Sequence, residues 1–90
     1  MIDYFEEVRK IISAQYGIDE ETIEEDSKLD SDLNISELDM EDLVTILEQK
    51  YQIAIPEEAY TNFKQASDIA TYLYENVDQV WSARKASNLP

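Results

Sequence analysis

The stretch that decides the fold is residues 36–51, which read SELDMEDLVTILEQKY. Ser36 can cap a helix here, and Asp39 stands three residues later, where the acid of a capping box stands. The acidic residues fall mainly in the first turns and Lys50 in the last, as a helix dipole favours. Six apolar residues are predicted to share one stripe of this helix: Leu38, Leu43, Val44, Ile46, Leu47 and Tyr51.

Three further helices are predicted around this one. Residues 2–16 have apolar side chains at three- and four-residue steps, beginning with Ile2 and Phe5, and Gly17 follows where a left-handed C-cap would lie. Pro56 prevents the helix over 36–51 from continuing, and a short helix is predicted at 57–61. The last helix is predicted over 67–83.

The segment between the first two long helices has no helical periodicity. Residues 18–35 are acidic and contain irregularly spaced apolar residues, which indicates a long loop that tucks single side chains under a bundle. These are Ile18, Ile23, Leu29, Leu33 and Ile35. Loops of this length in small domains are often functional.

Length and composition limit the architecture. The chain has 90 residues, one Gly and two Pro, which is too few turn residues for a β-sandwich or barrel. A hydrophobic fraction of 43% is too high for a disordered acidic tail. We therefore predict an all-α bundle of three long helices and one short helix, with one domain over 1–83 and a flexible tail over 84–90.

The charge excludes several classes of function. The sequence has 21 acidic and 7 basic residues, a net charge of −14, so binding to nucleic acid or anionic membrane is not expected. Partners with basic patches are expected instead, and the protein itself is expected to be a monomer. No secretory signal or membrane-spanning stretch is recognised, so a cytoplasmic location is expected.

Enzymatic and metal chemistry has little support in the sequence. The absence of Cys and His removes thiolate zinc sites and the commonest nucleophiles and general bases. Adjacent carboxylates such as Glu57 and Glu58 point in different directions on a helix. We expect no enzymatic activity, no metal and no catalytic residue.

Residues from Asp32 onward resemble the acyl carrier protein family. Asp32-Leu33 and Leu38 match the Asp-Leu-Gly-x-Asp-Ser-Leu segment of that family, and the register continues downstream through Glu58 without a gap. The resemblance covers roughly residues 2–77. The further matching residues are Asp39, Leu43-Val44, Leu47-Glu48, Tyr51, Ile55-Pro56-Glu57-Glu58, Phe63, Ile69, Tyr72 and Leu73.

The resemblance implies a carrier whose Ser holds a 4′-phosphopantetheine arm, with an acyl chain sheltered by the bundle. In this sequence Glu37 stands at the Ser position, Ser36 at the preceding Asp position and Asn34 at the Gly position. A carboxylate cannot accept the arm through hydroxyl chemistry. One hypothesis is thus a homologue without the arm that binds partners. The alternative is a working carrier modified on Ser36, the one case in which 4′-phosphopantetheine would be its cofactor.

The resemblance also implies that the second helix binds enzymes of fatty-acid, polyketide or peptide biosynthesis. The expected partners are synthases and acyl or phosphopantetheinyl transferases with basic docking patches. The expected partner-binding residues are Glu37, Leu38, Met40, Glu41, Asp42 and Glu48, with core packing an equal alternative for Met40. Trp81 is expected either to anchor a partner or to pack a longer last helix.

A remote alternative is a calcium-binding loop over 30–41. Asp30, Asp32, Asn34, Ser36 and Glu41 match positions one, three, five, seven and twelve of an EF-hand. The sixth position, however, is Ile35 where the sharp turn requires Gly.

Overall fold

The computed structural model describes residues 2–78 as a bundle of four α-helices. They are α1 (Tyr4–Tyr16), α2 (Glu37–Tyr51), α3 (Glu57–Tyr60) and α4 (Ala66–Leu73), and a single π-helical turn, Tyr74–Asp78, follows α4. Within the described residues the backbone has no β-strand, only an isolated bridge between Lys28 and Gln65. The predicted all-α bundle of three long helices and one short helix is confirmed.

Helix α1 begins two residues later than predicted. Asp3 is the N-cap, and its carboxylate accepts a hydrogen bond from the Glu6 N–H at 3.3 Å. Ile2 lies before this cap and is 52% exposed, so its predicted place on the apolar stripe was wrong. At the other end Gly17 is the predicted left-handed C-cap, with φ of 68°.

Helix α2 begins at Glu37 with Ser36 as its N-cap, one residue inside the predicted bounds. Its core face consists of Met40, Leu43, Val44 and Leu47, all buried. Leu38 was predicted on that stripe but is 75% exposed. The reason is angular: each residue turns a helix by about 100°, so Leu38 lies about 140° around the axis from Leu43.

The long loop is folded and not merely solvated. It contains a short 3₁₀ helix, Glu20–Thr22, and buries four of the five predicted apolar side chains: Ile23, Leu29, Leu33 and Ile35. Two backbone hydrogen bonds at 3.0 Å, from the Leu29 N–H to the Lys64 carbonyl and from the Ala66 N–H to the Ser27 carbonyl, attach it to the start of α4.

The last part of the bundle differs from prediction in its bounds. Helix α3 ends at Tyr60, one residue before the predicted end, and α4 begins at Ala66 and packs on α1. The α-helical hydrogen bonding ends at Leu73 and becomes π-helical over Tyr74–Asp78. The predicted continuation to residue 83, Trp81 and the tail over 84–90 lie outside the described residues.

Over the part of the chain that the structure describes, every helix is too short or too polar to cross a membrane.

Candidate functional site

The start of α2 is held by reciprocal capping bonds. The Ser36 hydroxyl oxygen accepts from the Asp39 N–H at 3.1 Å, and the Asp39 carboxylate accepts from the Ser36 N–H at 3.1 Å. The Tyr16 hydroxyl at the end of α1 donates to the Asp39 carbonyl at 2.7 Å. The predicted capping box is confirmed, and it fixes the direction in which the first residues of α2 project.

Glu37 and Leu38 are the first two residues of α2, and both are exposed. Neither side chain takes part in the capping box, since that involves Ser36 and Asp39. The first turn of α2 therefore presents a carboxylate and a large apolar side chain to solvent, side by side.

Both side chains border a groove between the start of α2 and α3. Its volume is about 570 Å³, within the range of ligand pockets in proteins. Four of the lining side chains are also core residues, each no more than 8% exposed: Leu29, Ile35, Met40 and Phe63. The groove thus exposes a small part of the hydrophobic core at the edge of α2.

The mouth of the groove is strongly acidic. Asp30, Glu37, Glu41 and Glu57 line it, and Lys64 is the one cation among the described lining residues. Burial, together with the nearby carboxylates of Glu57, Glu41 and Glu48, raises the pKa of Tyr60 above its usual value. Ionisation of the Tyr60 phenol is therefore disfavoured beside these acids.

The structure brings most of the predicted site residues together. Ser36, Glu37, Leu38, Met40 and Glu41 all line the groove, and Met40 is 8% exposed, so it packs in the core and still reaches the groove floor.

The other two predicted residues lie elsewhere on α2. Asp42 is exposed on α2 away from the groove. Glu48 is half-buried, and its carboxylate accepts a hydrogen bond from the Ile55 N–H at 2.8 Å. That carboxylate therefore supports the connection between α2 and α3.

The groove also contains residues that sequence reasoning did not select. Tyr60, Thr61, Phe63 and Lys64 come from α3 and the turn after it, and Leu29 comes from the long loop. They are far apart in sequence and follow no short motif. Only the tertiary packing of the loop and α3 against α2 reveals them.

Residues 30–41, which match the calcium-binding template in sequence, form local turns and the start of α2. The Asp32 carboxylate accepts from the Lys28 N–H at 2.8 Å, and the Asp30 carboxylate accepts from the Ser31 N–H at 2.7 Å. Ser36 caps α2, and Asn34 has a left-handed φ of 57°. Within residues 2–78, no group of three or more acidic side chains is arranged to hold a metal ion.

The capped start of a long acidic helix is thus exposed beside a groove in a small all-α bundle. The sequence profile of the family described as "Phosphopantetheine attachment site" matches residues 6–73. The chain is 33% identical over 75 residues to an acyl carrier protein of Helicobacter hepaticus, which covers 83% of this chain and 99% of that protein. It is 35% identical over 72 residues to one of Onion yellows phytoplasma, covering 80% of this chain and 95% of that protein. The chain belongs to the acyl carrier protein family, whose members are carrier proteins and not enzymes.

The residues at the start of α2 do not fit the attachment chemistry of that family. The resemblance places the family's attachment Ser at the position after the N-cap, and Glu37 has a carboxylate there. The nearest hydroxyl, that of Ser36, belongs to the N-cap, and its oxygen already accepts the Asp39 N–H. This disagreement between family and residue is the main feature of the site.

Proposed function

We propose that this protein is an acyl carrier protein homologue without a phosphopantetheine arm. It acts as a cytoplasmic, monomeric protein-interaction domain through α2, in a fatty-acid, polyketide or peptide biosynthesis context. The observation that carries the proposal is the identity of the first residue of α2, Glu37. Its carboxylate has no hydroxyl group through which a transferase could attach the arm, and it adds a negative charge at the partner-binding end of the helix.

The partners of this surface are enzymes with basic docking patches, such as synthases and acyl transferases. Glu37, Glu41 and Asp42 are exposed on α2 and supply the charge that would steer such enzymes. Leu38, exposed beside them, supplies apolar contact area. A charged rim around an apolar residue is the usual anatomy of a protein–protein interface.

A second candidate function is a working carrier modified on Ser36. It is favoured by one observation, namely that Ser36 is exposed and directly precedes the family position. Two facts oppose it. A shift of one residue rotates the hydroxyl by about 100° around the helix axis. The Ser36 oxygen also closes the capping box.

Intact mass after incubation with coenzyme A and a broad-specificity phosphopantetheinyl transferase distinguishes the two functions. We expect no mass gain for the wild type and a gain of one phosphopantetheine group for the variant Ser36→Asp/Glu37→Ser, which restores Asp-Ser-Leu. Asp caps a helix as well as Ser does, so this variant keeps the start of α2. A wild-type gain that disappears in Ser36→Ala would overturn the proposal and establish Ser36 as the attachment site.

The role of α2 is tested separately by charge reversal. Glu41→Lys/Asp42→Lys is expected to weaken binding to a partner enzyme with a basic docking patch by about tenfold or more at low salt. Glu24→Lys/Glu25→Lys is the matched control, because it makes the same charge change on the exposed loop. Equal losses in both variants would show that net charge, and not α2, governs binding.

A further inference from the structure

We propose that the groove between α2 and α3 is filled in trans by an apolar side chain from a basic segment of a partner protein. The inference rests on the proposed function, because it specifies the partner chemistry for the same surface. In a carrier with an arm the bundle would shelter its own acyl cargo. In this chain the groove would instead receive a side chain of the partner.

The shape and lining of the groove fit an inserted side chain. Its floor consists of buried core residues, including Met40 and Phe63, and its volume of about 570 Å³ exceeds that of any single side chain. Leu38 stands at its edge and is 75% exposed. An anchor in this position would cover Leu38 and the floor together.

The charge around the groove indicates that the partner segment is basic. Asp30, Glu37, Glu41 and Glu57 lie around the mouth, and the only opposite charge among the described lining residues is Lys64. An anionic or neutral apolar ligand would gain nothing from this rim, and a fatty carboxylate would be repelled. Lys or Arg residues on both sides of an apolar anchor would complement it.

The distribution of the carboxylates favours a peptide over a small cationic amphiphile. They come from three separate elements: the loop (Asp30), α2 (Glu37 and Glu41) and α3 (Glu57). A single ammonium head would approach one side of the mouth, whereas a segment with several basic side chains can approach all three. A second copy of this chain is disfavoured, because its net charge is −14 as well.

Nuclear magnetic resonance titration of the full ¹⁵N-labelled chain tests the proposal with three synthetic peptides of equal length. The first is an amphipathic helix of Lys and Leu, the second has every Leu replaced by Ser, and the third has every Lys replaced by Glu. We expect the Lys–Leu peptide to shift the amides of Leu38, Met40, Tyr60 and Phe63 and to bind about tenfold more tightly than the Lys–Ser peptide. The Glu–Leu peptide is expected not to bind.

Two pairs of variants locate the site. Leu38→Ser is expected to weaken the Lys–Leu peptide about fivefold or more, whereas Ile2→Ser, which removes another exposed apolar residue, has no effect. Glu37→Gln/Glu41→Gln is expected to weaken the peptide in a salt-dependent manner. The control Glu24→Gln/Glu25→Gln removes the same charge from the exposed loop.

The outcomes separate the groove from the wider docking function. Equal binding of the Lys–Leu and Lys–Ser peptides, with shifts on α2, would overturn the groove proposal and leave acidic α2 as a docking face. Shifts spread over the whole acidic surface would overturn both. Nuclear Overhauser contacts in the free protein between the indole of Trp81 and the methyl group of Met40 would show that the chain's own C-terminal residues fill the groove, and would also overturn the proposal.

Discussion

Two neighbouring residues at the start of α2 have different roles. Ser36 is the N-cap, and its hydroxyl oxygen binds the Asp39 N–H. Glu37 makes no capping bond, is exposed and borders the groove. Structure therefore assigns Ser36 to helix stability and leaves Glu37 free to face a partner.

Removal of the cap should affect stability. Ser36→Ala is expected to lower the free energy of unfolding by about 1 kcal/mol, because the Asp39 N–H loses its acceptor. Urea denaturation followed by circular dichroism measures the change. Ser31→Ala, an exposed Ser whose side chain makes no capping bond, serves as the control. An unchanged midpoint in Ser36→Ala would contradict the capping role.

Two phenols couple stability to alkaline pH. Burial and the nearby carboxylates of Asp39 and Asp42 raise the pKa of Tyr16 to about 12. Burial and the neighbouring Glu7 and Tyr4 raise the pKa of Tyr51 to about 12. Both values exceed the ordinary 10, so the fold favours the neutral phenols. Their contribution is complete below pH 10 and is lost as the pH rises through about 12.

Tyr16→Phe tests this coupling. The variant is expected to be less stable than the wild type by about 1 kcal/mol at neutral pH, since the hydrogen bond to the Asp39 carbonyl is lost. The difference should shrink between pH 10 and 12, because over this range the Tyr16 phenol ionises in the unfolded wild type while it stays largely neutral in the folded protein. Urea midpoints across this range measure it, with Tyr74→Phe, at an exposed position, as the control. A difference that stays constant with pH would be inconsistent with a raised pKa of Tyr16.

At the scale of elements, the connection between α2 and α3 depends on a residue that was expected to bind partners. The Glu48 carboxylate accepts from the Ile55 N–H at 2.8 Å and so holds the segment that precedes Pro56. Ile55 is 4% exposed, which means that this N–H would otherwise be poorly satisfied. Charge reversal at Glu48 would therefore disturb the position of α3. A loss of partner binding in such a variant would not distinguish a docking role of Glu48 from this structural role.

Glu48→Ala is expected to lower the free energy of unfolding by about 1.5–3 kcal/mol, the range for hydrogen bonds to charged groups. Glu48→Gln keeps an acceptor oxygen and should lose less. Glu41→Ala is the matched control, because Glu41 is exposed on the same helix. Thermal denaturation measures all three variants. If Glu41→Ala and Glu48→Ala were equally stable, the bond to Ile55 would have no structural importance.

At the scale of the whole molecule, the main feature is the excess of negative charge. All 21 acidic residues fall within residues 2–78, against five of the seven basic residues. Two of those five are in ion pairs, Arg9 with Glu6 at 3.0 Å and Lys50 with Glu7 at 3.4 Å. Both pairs are partly exposed, and such pairs contribute about 1 kcal/mol or less. Self-repulsion of the acidic surface therefore opposes the compact state.

Salt should stabilise the fold for this reason. The Debye length falls from about 30 Å at 0.01 M to about 8 Å at 0.15 M ionic strength. We expect sodium chloride over this range to add about 1 kcal/mol, which raises Tm by about 4–8 °C in a domain of this size. Glu24→Gln/Glu25→Gln, with less charge, should show a smaller rise. Calorimetry at fixed pH measures both, and a Tm independent of salt would contradict the argument.

The sequence by itself determined the helices, because their signals are local. These signals are the spacing of apolar residues, the Ser36–Asp39 capping box and the glycine cap at Gly17. Each of them depends on residues within one or two turns of helix. The family resemblance and the unusual Glu37 also came from the sequence. The wrong predictions concerned ends and faces: Ile2 lies outside its helix, and Leu38 projects away from the stripe.

Only the tertiary structure decided which residues line the groove and which role each acidic residue of α2 has. Leu29, Tyr60 and Phe63 line the groove together with residues of α2 because the fold brings the long loop and α3 beside it, and their separation in sequence leaves no local signal. Glu41 and Glu48 are both acids on one helix, yet one lines the groove and the other holds the Ile55 N–H. Long-range contacts depend on how complete elements pack together, so no window of sequence around a single residue contains them.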